Sequence, residues 1–251
     1  MKYMGSKNRI AKEILPLILK NRKENQYYIE PFVGGANVID KVDGLRIGLD
    51  INKYLIALFK GLQNNEDLIL DIPKELYNKA RDQFNLETQN IKIENKEFND
   101  FQLGWIGYMG SANGRFFDGG YSGISKTSNG GTRNYIEESI KNILKQKNNL
   151  NGINFFHSSY ENFNYPKNSI IYCDIPYQNT KQYKFSRDFN YDKFWDWARA
   201  MKKNEHEIYI SEYEAPNDFI CVWEKEVKSS LSANGINGGN KTSIERLFVL
   251  K

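Results

Sequence analysis

The residues after one apolar run carry side chains that could bind and orient a planar substrate. Residues 170–173 (Ile-Ile-Tyr-Cys) are β-branched and aromatic, which predicts a buried strand. Asp174 arrives where that strand ends, Pro176 cannot join a sheet ladder, and Tyr177 follows at the tip of the turn. A carboxylate and an aromatic ring on a stiff turn would form a pocket for a planar group that hydrogen bonds. The alternative is an ordinary strand followed by an ordinary turn.

A glycine turn and a second carboxylate indicate a nucleotide site. Residues 27–30 predict a strand that ends at Glu30 and runs into Pro-Phe-Val-Gly-Gly, and the adjacent Gly34 and Gly35 permit positive φ and close approach of a ligand. A second strand, 45–49, ends at Asp50, twenty residues after Glu30. That spacing suits an acid that accepts hydrogen bonds from the hydroxyls of a ribose bound over the turn. Since the turn is not G-x-G-x-x-G, a dinucleotide is disfavoured. The alternative role for Asp50 is capping of a helix over 52–62.

The elements that must position these groups alternate between strands and helices. Further strands are predicted at 152–157, 207–211, 220–223 and 246–250. Helices are predicted at 8–20 with an interruption at Pro16, from Asn37, at 66–87 with a break near Pro73, at 135–147 and at 191–203. Residues 234–240 predict a loop. The order indicates an open, doubly wound α/β sheet that binds ligands beyond the carboxyl ends of its strands. Ser159 and Tyr160 would face the same edge as Asp50.

Residues 66–147 differ from the rest of the chain and predict an insertion between 1–65 and 148–251. Trp, Tyr and Phe alternate with Gly from 101 to 125, and a polar glycine-bearing loop follows at 126–132. Aromatics, amides and arginines on glycine loops suit nucleic-acid contact, in which Arg115 could read a guanine and Asn113 an adenine. The candidate DNA contacts are Trp105, Ser111, Asn113, Arg115, Tyr121, Lys126 and Arg133. The alternative for the aromatics is that Trp105, Tyr108 and Phe116 form the core of a small helical subdomain.

Composition narrows the function classes. The 251 residues carry a net charge of +4 and are 40% hydrophobic and 14% aromatic, which is compatible with a nucleic-acid partner without requiring one. Cys173 and Cys221 lie in apolar runs and predict buried free thiols in a reducing compartment. No Cys/His cluster has zinc spacing and no G-x-S-x-G occurs, which disfavours zinc deamination and serine hydrolysis. We expect a cytoplasmic protein with no metal and no membrane segment, which is a monomer or, as the alternative, a weak dimer on DNA.

Four motifs together resemble the Dam-type (D12 class) DNA adenine-N6 methyltransferases. They are Tyr3-Met-Gly-Ser-Lys7, Glu30-Pro-Phe-Val-Gly-Gly35, Asp50-Ile-Asn52 and Asp174-Ile-Pro-Tyr177, in that order. The resemblance spans nearly the whole chain. It implies a Rossmann-like, S-adenosylmethionine-dependent methyltransferase sheet with an inserted, mainly helical DNA-recognition subdomain, acting on double-stranded DNA with base flipping.

The resemblance also implies roles for particular residues. The cofactor would be held by Tyr3, Lys7, Glu30, Phe32, Gly34, Gly35, Asp50, Ser159, Tyr160 and Asp174. Asp174 and the carbonyl of Ile175 would accept the two N–H groups of the adenine amine. Pro176 would fix the turn, and Tyr177 would stack on the extruded base.

One position departs from the family pattern, which is usually Asp-Pro-Pro-Tyr, since Ile175 stands second here. The backbone of Ile is restricted, and a carbonyl can still be offered there. Two alternatives stay open: a DNA-binding module with a degenerate site, and a methyltransferase that acts on RNA, an exocyclic cytosine amine or a protein amide.

Overall fold

The computed structural model describes residues 1–127, 129–178, 188–228 and 242–251, and these contain a seven-stranded mixed sheet. The predicted loop at 234–240 lies outside the described residues. The strands are β1 (Tyr28–Glu30), β2 (Arg46–Asp50), β5 (Ile153–His157), β6 (Ile170–Asp174), β7 (Glu207–Glu212), β8 (Phe219–Lys228) and β9 (Thr242–Leu250). Their spatial order is β5-β2-β1-β6-β7-β9-β8. The first five are parallel, and β9 runs antiparallel to both of its neighbours.

The strand order reverses direction between β1 and β6. From β1 the chain passes to β2 and later to β5 on one side, whereas from β6 it passes to β7 on the other. Such a switch point opens a crevice at the carboxyl ends of the strands, where ligands bind in this class of fold. Glu30 ends β1 and Asp174 ends β6, so both lie at the crevice. The predicted doubly wound α/β fold is confirmed.

Side chains that alternate along the central strands pack into two separate hydrophobic cores. Tyr28, Ile170 and Tyr172 pack in one core with α1 (Ala11–Ile18), α2 (Lys53–Gln63) and α5 (Tyr135–Leu150). Ile29, Ile171 and Cys173 pack in the other with α6 (Tyr191–Lys203). Because successive strand residues point to opposite faces, this division means that helices cover both faces of the sheet.

The region predicted as an insertion is mainly helical. It contains α3 (Lys74–Thr88), α4 (Asp100–Gly110), a hairpin of β3 (Ile124–Lys126) and β4 (Thr132–Asn134), and most of α5. Phe84 and Trp105 from this region share one core with Leu55 of α2 and Ile14 of α1. The residues of this region therefore pack onto the helices of the sheet through a shared apolar core.

Several local predictions differ from the structure. The helix expected from Asn37 is only a 3-10 turn, Ile39–Lys41, because β-branched residues and an Asp43-Gly44 turn disfavour continuation. Residues 66–73 are not helical, because Pro73 occupies the N-cap of α3 and restricts the residue before it. Pro16 lies inside α1, which ends two residues later at Ile18 without a restart. The polar loop expected at 126–132 begins in β3 and ends in β4, and these two strands pair as a hairpin.

The two cysteines differ in their exposure to solvent. Cys173 is a buried free thiol as predicted, but Cys221 is exposed, because it lies on the outermost strand of the sheet.

Within the described residues, no helix has the length and apolar character needed to cross a membrane. The same residues contain no group of three or more His, Cys, Asp or Glu that could hold a metal ion.

Candidate functional site

Asp174 forms a buried ion pair with a lysine from the N-terminal segment. The ammonium of Lys7 lies 3.0 Å from a carboxylate oxygen of Asp174, and the Lys7 side chain is only 8% exposed. Ser6 caps the 3-10 turn Lys7–Arg9, which fixes the backbone that carries this lysine. This burial shows that Lys7 is not a solvated surface charge.

Both groups of this pair have shifted pKa values. Burial raises the pKa of Asp174 to about 6, against the lowering effect of Lys7 and with a further raising effect of Glu245. Although burial alone would lower it, the pKa of Lys7 is raised by the carboxylates of Asp174 and Glu245. At neutral pH the pair is ionised, and Asp174 can accept further hydrogen bonds.

The ring of Tyr177 is enclosed by charged and aromatic neighbours. Its hydroxyl donates to Glu245 of β9 at 2.6 Å, and its ring meets that of Tyr213 edge-on at 4.5 Å. The Lys7 ammonium lies 4.2 Å from the centre of the same ring, within cation–π range. Tyr177 is 8% exposed, so the open stacking surface expected at the tip of the turn is covered in this structure.

The turn that follows Asp174 is held on both sides. Glu212, which ends β7, accepts from the backbone N–H of Gln178 at 3.0 Å and of Tyr213 at 2.7 Å. The hydroxyl of Tyr191 donates to the carbonyl of Pro176 at 2.9 Å. Burial raises the pKa of Glu212 to about 7, although its backbone hydrogen bonds lower it. The side chain of Ile175 is buried in the core with Cys173, so this residue presents only its backbone to the site.

Asp50 faces the glycine turn. One carboxylate oxygen accepts from the N–H of Gly34 at 3.2 Å and the other from the N–H of Asn52 at 2.9 Å. Burial raises the pKa of Asp50 to about 6 despite these bonds. The cap of α2 is Asn52, whose side chain accepts from Tyr54, so the capping alternative for Asp50 is wrong. Gly34 has a φ of +45°, and a Cβ there would stand 2.9 Å from the ring of Tyr3, which lies over the turn.

The remaining predicted cofactor residues lie around this crevice in different environments. Glu30 is buried beside Asp174, accepts a hydrogen bond from Tyr28 at 2.9 Å, and has its pKa raised well above its usual value by burial. Phe32 packs against Tyr160 at 5.3 Å between ring centres. Ser159 is half-buried after β5, while Tyr160 is 6% exposed and also meets Trp197. Tyr160 is therefore held as part of the core that supports Phe32.

The predicted DNA contacts divide into buried and exposed residues. Trp105 is fully buried and donates to the carbonyl of Ile69, and Ser111 is 1% exposed and bonds to Tyr77. Their assignment as DNA contacts does not fit this burial, and Trp105 lies instead in the core that also contains Tyr28 and Ile14. Tyr121 is half-buried and donates to the carbonyl of Ile72.

The other four predicted contacts reach the surface to different degrees. Asn113 is exposed in a left-handed conformation with a φ of 58°. Arg115 is half-buried and paired with Asp118. Lys126 on β3 and Arg133 on β4 are exposed on the hairpin, where Arg133 binds both carboxylate oxygens of Glu138.

Two acidic residues of the site were missed from the sequence. Glu212 is the last residue of β7 but is separated from the apolar run 208–210 by Ser211, so the rule that locates Asp50 and Asp174 directly after an apolar run misses it by one residue. Glu245 lies within the antiparallel strand β9, away from its end, and reaches the site only through tertiary pairing. No spacing in the sequence signals that contact.

Comparison with known proteins places this geometry in context. The family model for D12 class N6 adenine-specific DNA methyltransferases matches residues 3–228 of the 251. A search of curated proteins found no match. The matched range includes Lys7, the glycine turn, Asp50 and Asp174, and it ends before β9.

Proposed function

Because the chain belongs to the D12 class of N6 adenine-specific DNA methyltransferases, we propose that it uses S-adenosylmethionine and flips its target adenine out of duplex DNA at a short specific sequence. The family supplies the enzyme class, the methylated amine and DNA as the substrate. The observation that carries the finer proposal is the position of three carboxylates, Glu30, Asp50 and Asp174, at the ends of adjacent parallel strands on one crevice.

The residues on one side of the crevice fit the donor. A carboxylate has about four acceptor positions. Asp50 uses two of them for backbone N–H groups, which leaves others for the hydroxyls of a ribose. The glycine turn, which leaves little room for a Cβ beneath Tyr3, lets a ligand approach the backbone closely. When bound, S-adenosylmethionine supplies a methyl group on a positively charged sulfur, and the carboxylates of the crevice complement that charge.

Asp174 and Ile175 activate the acceptor. The lone pair of an adenine amine is delocalised into the ring, which makes the nitrogen a poor nucleophile. Asp174 and the carbonyl of Ile175 each accept one N–H, which draws the nitrogen toward a tetrahedral shape and stabilises the charge that develops on it. Burial of the Ile175 side chain supports this role, since only the backbone of that residue is required.

Tyr177 stacks on the extruded base. Stacking on an aromatic side chain is worth about 1–3 kcal/mol per base. Because the Lys7 ammonium lies over the ring here, base entry requires a shift of Lys7 or of the turn. Asp174 and Tyr177 would hold the amine in a fixed orientation toward a bound methyl donor, and such positioning would supply much of the rate.

The insertion recognises the DNA. Lys126 and Arg133 on the exposed hairpin hold phosphates, while Asn113 and Arg115 lie on the segment between α4 and the hairpin and read bases. The buried aromatics Trp105 and Tyr108 make the platform that carries these residues.

Methylation-sensitive sequencing of DNA from cells that express the protein tests this proposal directly. We expect N6-methyladenine at one short motif with the wild-type chain, and none with Asp174→Ala, which removes an acceptor of the amine. Asp71→Ala removes an exposed carboxylate of the insertion and is the matched control. Purified Asp174→Ala should still bind S-adenosylmethionine.

The alternatives predict different results. Tight duplex binding by the wild-type chain with no methylated adenine would indicate a degenerate site. Transfer of labelled methyl groups to RNA, cytosine or protein instead of adenine in duplex DNA would contradict the proposed acceptor. Full activity in Asp174→Ala would contradict the proposed chemistry.

A further inference from the structure

Glu245 joins two groups of the site through one carboxylate oxygen. This oxygen accepts the hydroxyl of Tyr177 at 2.6 Å and lies 3.6 Å from the ammonium of Lys7. The Glu245 side chain is 14% exposed, so both interactions are largely shielded from water. Tyr177 and Lys7 in turn border Asp174, which gives Glu245 indirect contact with the carboxylate that binds the target amine.

The terminal hairpin sets the position of Glu245. Arg246 pairs with Glu212 in the register between β9 and β7, and its side chain binds Glu224 on β8. Glu245 therefore points to the opposite face, together with Leu247, which is fully buried in the core that contains Tyr172. This arrangement aims the carboxylate at the site from a rigid strand. The strand lies beyond residues 3–228, the range that the family model matches.

We propose that Glu245 is a positioning residue that holds the Tyr177 ring in register with Asp174 and shares the Lys7 ammonium with Asp174. The inference rests on the proposed function of Tyr177 and Asp174. Anchoring of the hydroxyl fixes the rotation of the ring and so the plane on which a base stacks. The charge opposite Lys7 shares the ammonium between two carboxylates, which keeps Lys7 from binding Asp174 alone.

The charge of Glu245 should affect the pKa of Asp174, which a residue that contributes only packing would not do. Among the residues that the structure describes, the charged and titratable groups around Asp174 are Lys7, Glu30, Tyr172, Cys173, Tyr177, Glu212 and Glu245. Among them Glu245 raises the pKa of Asp174. Loss of its charge therefore lowers the pKa of Asp174, so Asp174 stays ionised at lower pH and the acid limb of activity moves to lower pH.

The test compares Glu245→Ala, Glu245→Gln and Tyr177→Phe with the wild-type chain on duplex DNA that contains the target motif. Glu245→Ala should lower kcat by about tenfold to a hundredfold, as expected when a reacting group is misplaced by about 1 Å. Binding of S-adenosylmethionine, measured separately, should be unchanged. Glu245→Gln keeps an acceptor for the hydroxyl and should lose less kcat, with its acid limb shifted to lower pH. Glu226→Gln, an exposed change on β8 of the same hairpin, is the control.

A double-mutant cycle separates positioning from general damage. If Glu245 acts through the hydroxyl, Glu245→Ala in the Tyr177→Phe background should add little further loss. Fully additive losses, or wild-type kcat in Glu245→Ala, would overturn the inference. If Glu245→Ala does not fold, the pH profile of kcat for Glu245→Gln is the deciding measurement. A shift of its acid limb to lower pH supports the positioning role of Glu245, and an unshifted acid limb overturns it. A wild-type chain that methylates no adenine would overturn the proposed function and this inference together, whereas an active wild type with an equally active Glu245→Ala would overturn the inference alone.

Discussion

At the scale of single residues, the site is defined by carboxylates whose charge is costly to bury. Burial holds the pKa of Asp174 near 6, and Lys7 prevents it from rising further. An ionised Asp174 is what the proposed reaction needs, because a protonated carboxyl would offer the amine one acceptor fewer. Lys7 therefore contributes to activity at neutral pH through the protonation state of its partner.

This relation predicts the effect of Lys7→Met. The pKa of Asp174 should rise above about 6, so the acid limb of kcat should move to higher pH, opposite in sign to the shift for Glu245→Gln. At pH 6 the loss should be about fivefold or more, since a nearby opposite charge shifts a carboxyl pKa by about one unit or more. The measurement is kcat against pH at saturating DNA and methyl donor.

Lys12→Met, an exposed change on α1, is the matched control for that measurement. A profile for Lys7→Met that is lower at every pH without a shift would show that Lys7 acts in some other way than on the charge of Asp174.

At the scale of elements, the sequence predicted most of the sheet but not the helix that packs beside it. Asp50 and Asp174 were located because each directly follows a short apolar run, and parallel strands bring such positions to one edge. The glycine-rich segment 101–125 favours aromatics carried on glycine loops, yet its first ten residues belong to α4. A Cβ on Gly104 would stand 2.2 Å from the carbonyl oxygen of Tyr54, so the glycine allows α4 to lie directly against α2.

The failure at α4 has a general physical cause. Glycine lowers intrinsic helix propensity by about 1 kcal/mol per residue, which favours a loop when the segment is considered alone. Close packing of two helices outweighs that cost, but the partner helix is distant in sequence. The same reasoning applies to Trp105, whose indole N–H is satisfied inside the protein by Ile69, and to Glu245, which reaches Tyr177 across the sheet.

The β3–β4 hairpin is the element through which the insertion should hold the DNA backbone. Lys126→Gln removes an exposed positive charge there. We expect weaker DNA binding across all sequences, with the slope of log affinity against log salt reduced by about 1 and the preferred motif unchanged. Titration of labelled duplexes at several salt concentrations measures both quantities.

Lys203→Gln at the end of α6 provides the control for the hairpin. This lysine is also exposed but lies before β7, at the edge of the sheet opposite the site. Equal salt slopes for Lys126→Gln and the wild type would place the DNA backbone away from the hairpin.

At the scale of the whole molecule, the buried carboxylates of the crevice lower the free energy of unfolding of the chain at neutral pH. Burial raises the pKa values of Asp50 and Asp174 to about 6 and of Glu212 to about 7. For a carboxyl whose pKa is higher in the folded chain, the stabilising contribution is complete below the unfolded pKa and is lost as pH rises through about 6 to 7. At pH 7.5 the crevice therefore carries buried negative charge, which a cationic ligand would offset.

Binding of a cationic ligand at the crevice should consequently raise the free energy of unfolding of the chain. S-adenosylmethionine at 100 times its Kd should add about 2.7 kcal/mol, which for a chain of this size raises Tm by roughly 5–11 °C. Asp50→Asn should reduce this donor-induced shift in Tm. The carboxylate of Asp50 has two acceptor oxygens, which bind the N–H groups of Gly34 and Asn52 and would also bind a ribose, whereas an amide has only one. Each variant is compared with its own ligand-free Tm at pH 7.5 by thermal melting, with Asp71→Asn as the exposed control. A donor-induced shift in Asp50→Asn equal to that of the wild type would mean that the donor binds without this carboxylate, and the proposed orientation of its ribose over the glycine turn would have to be abandoned.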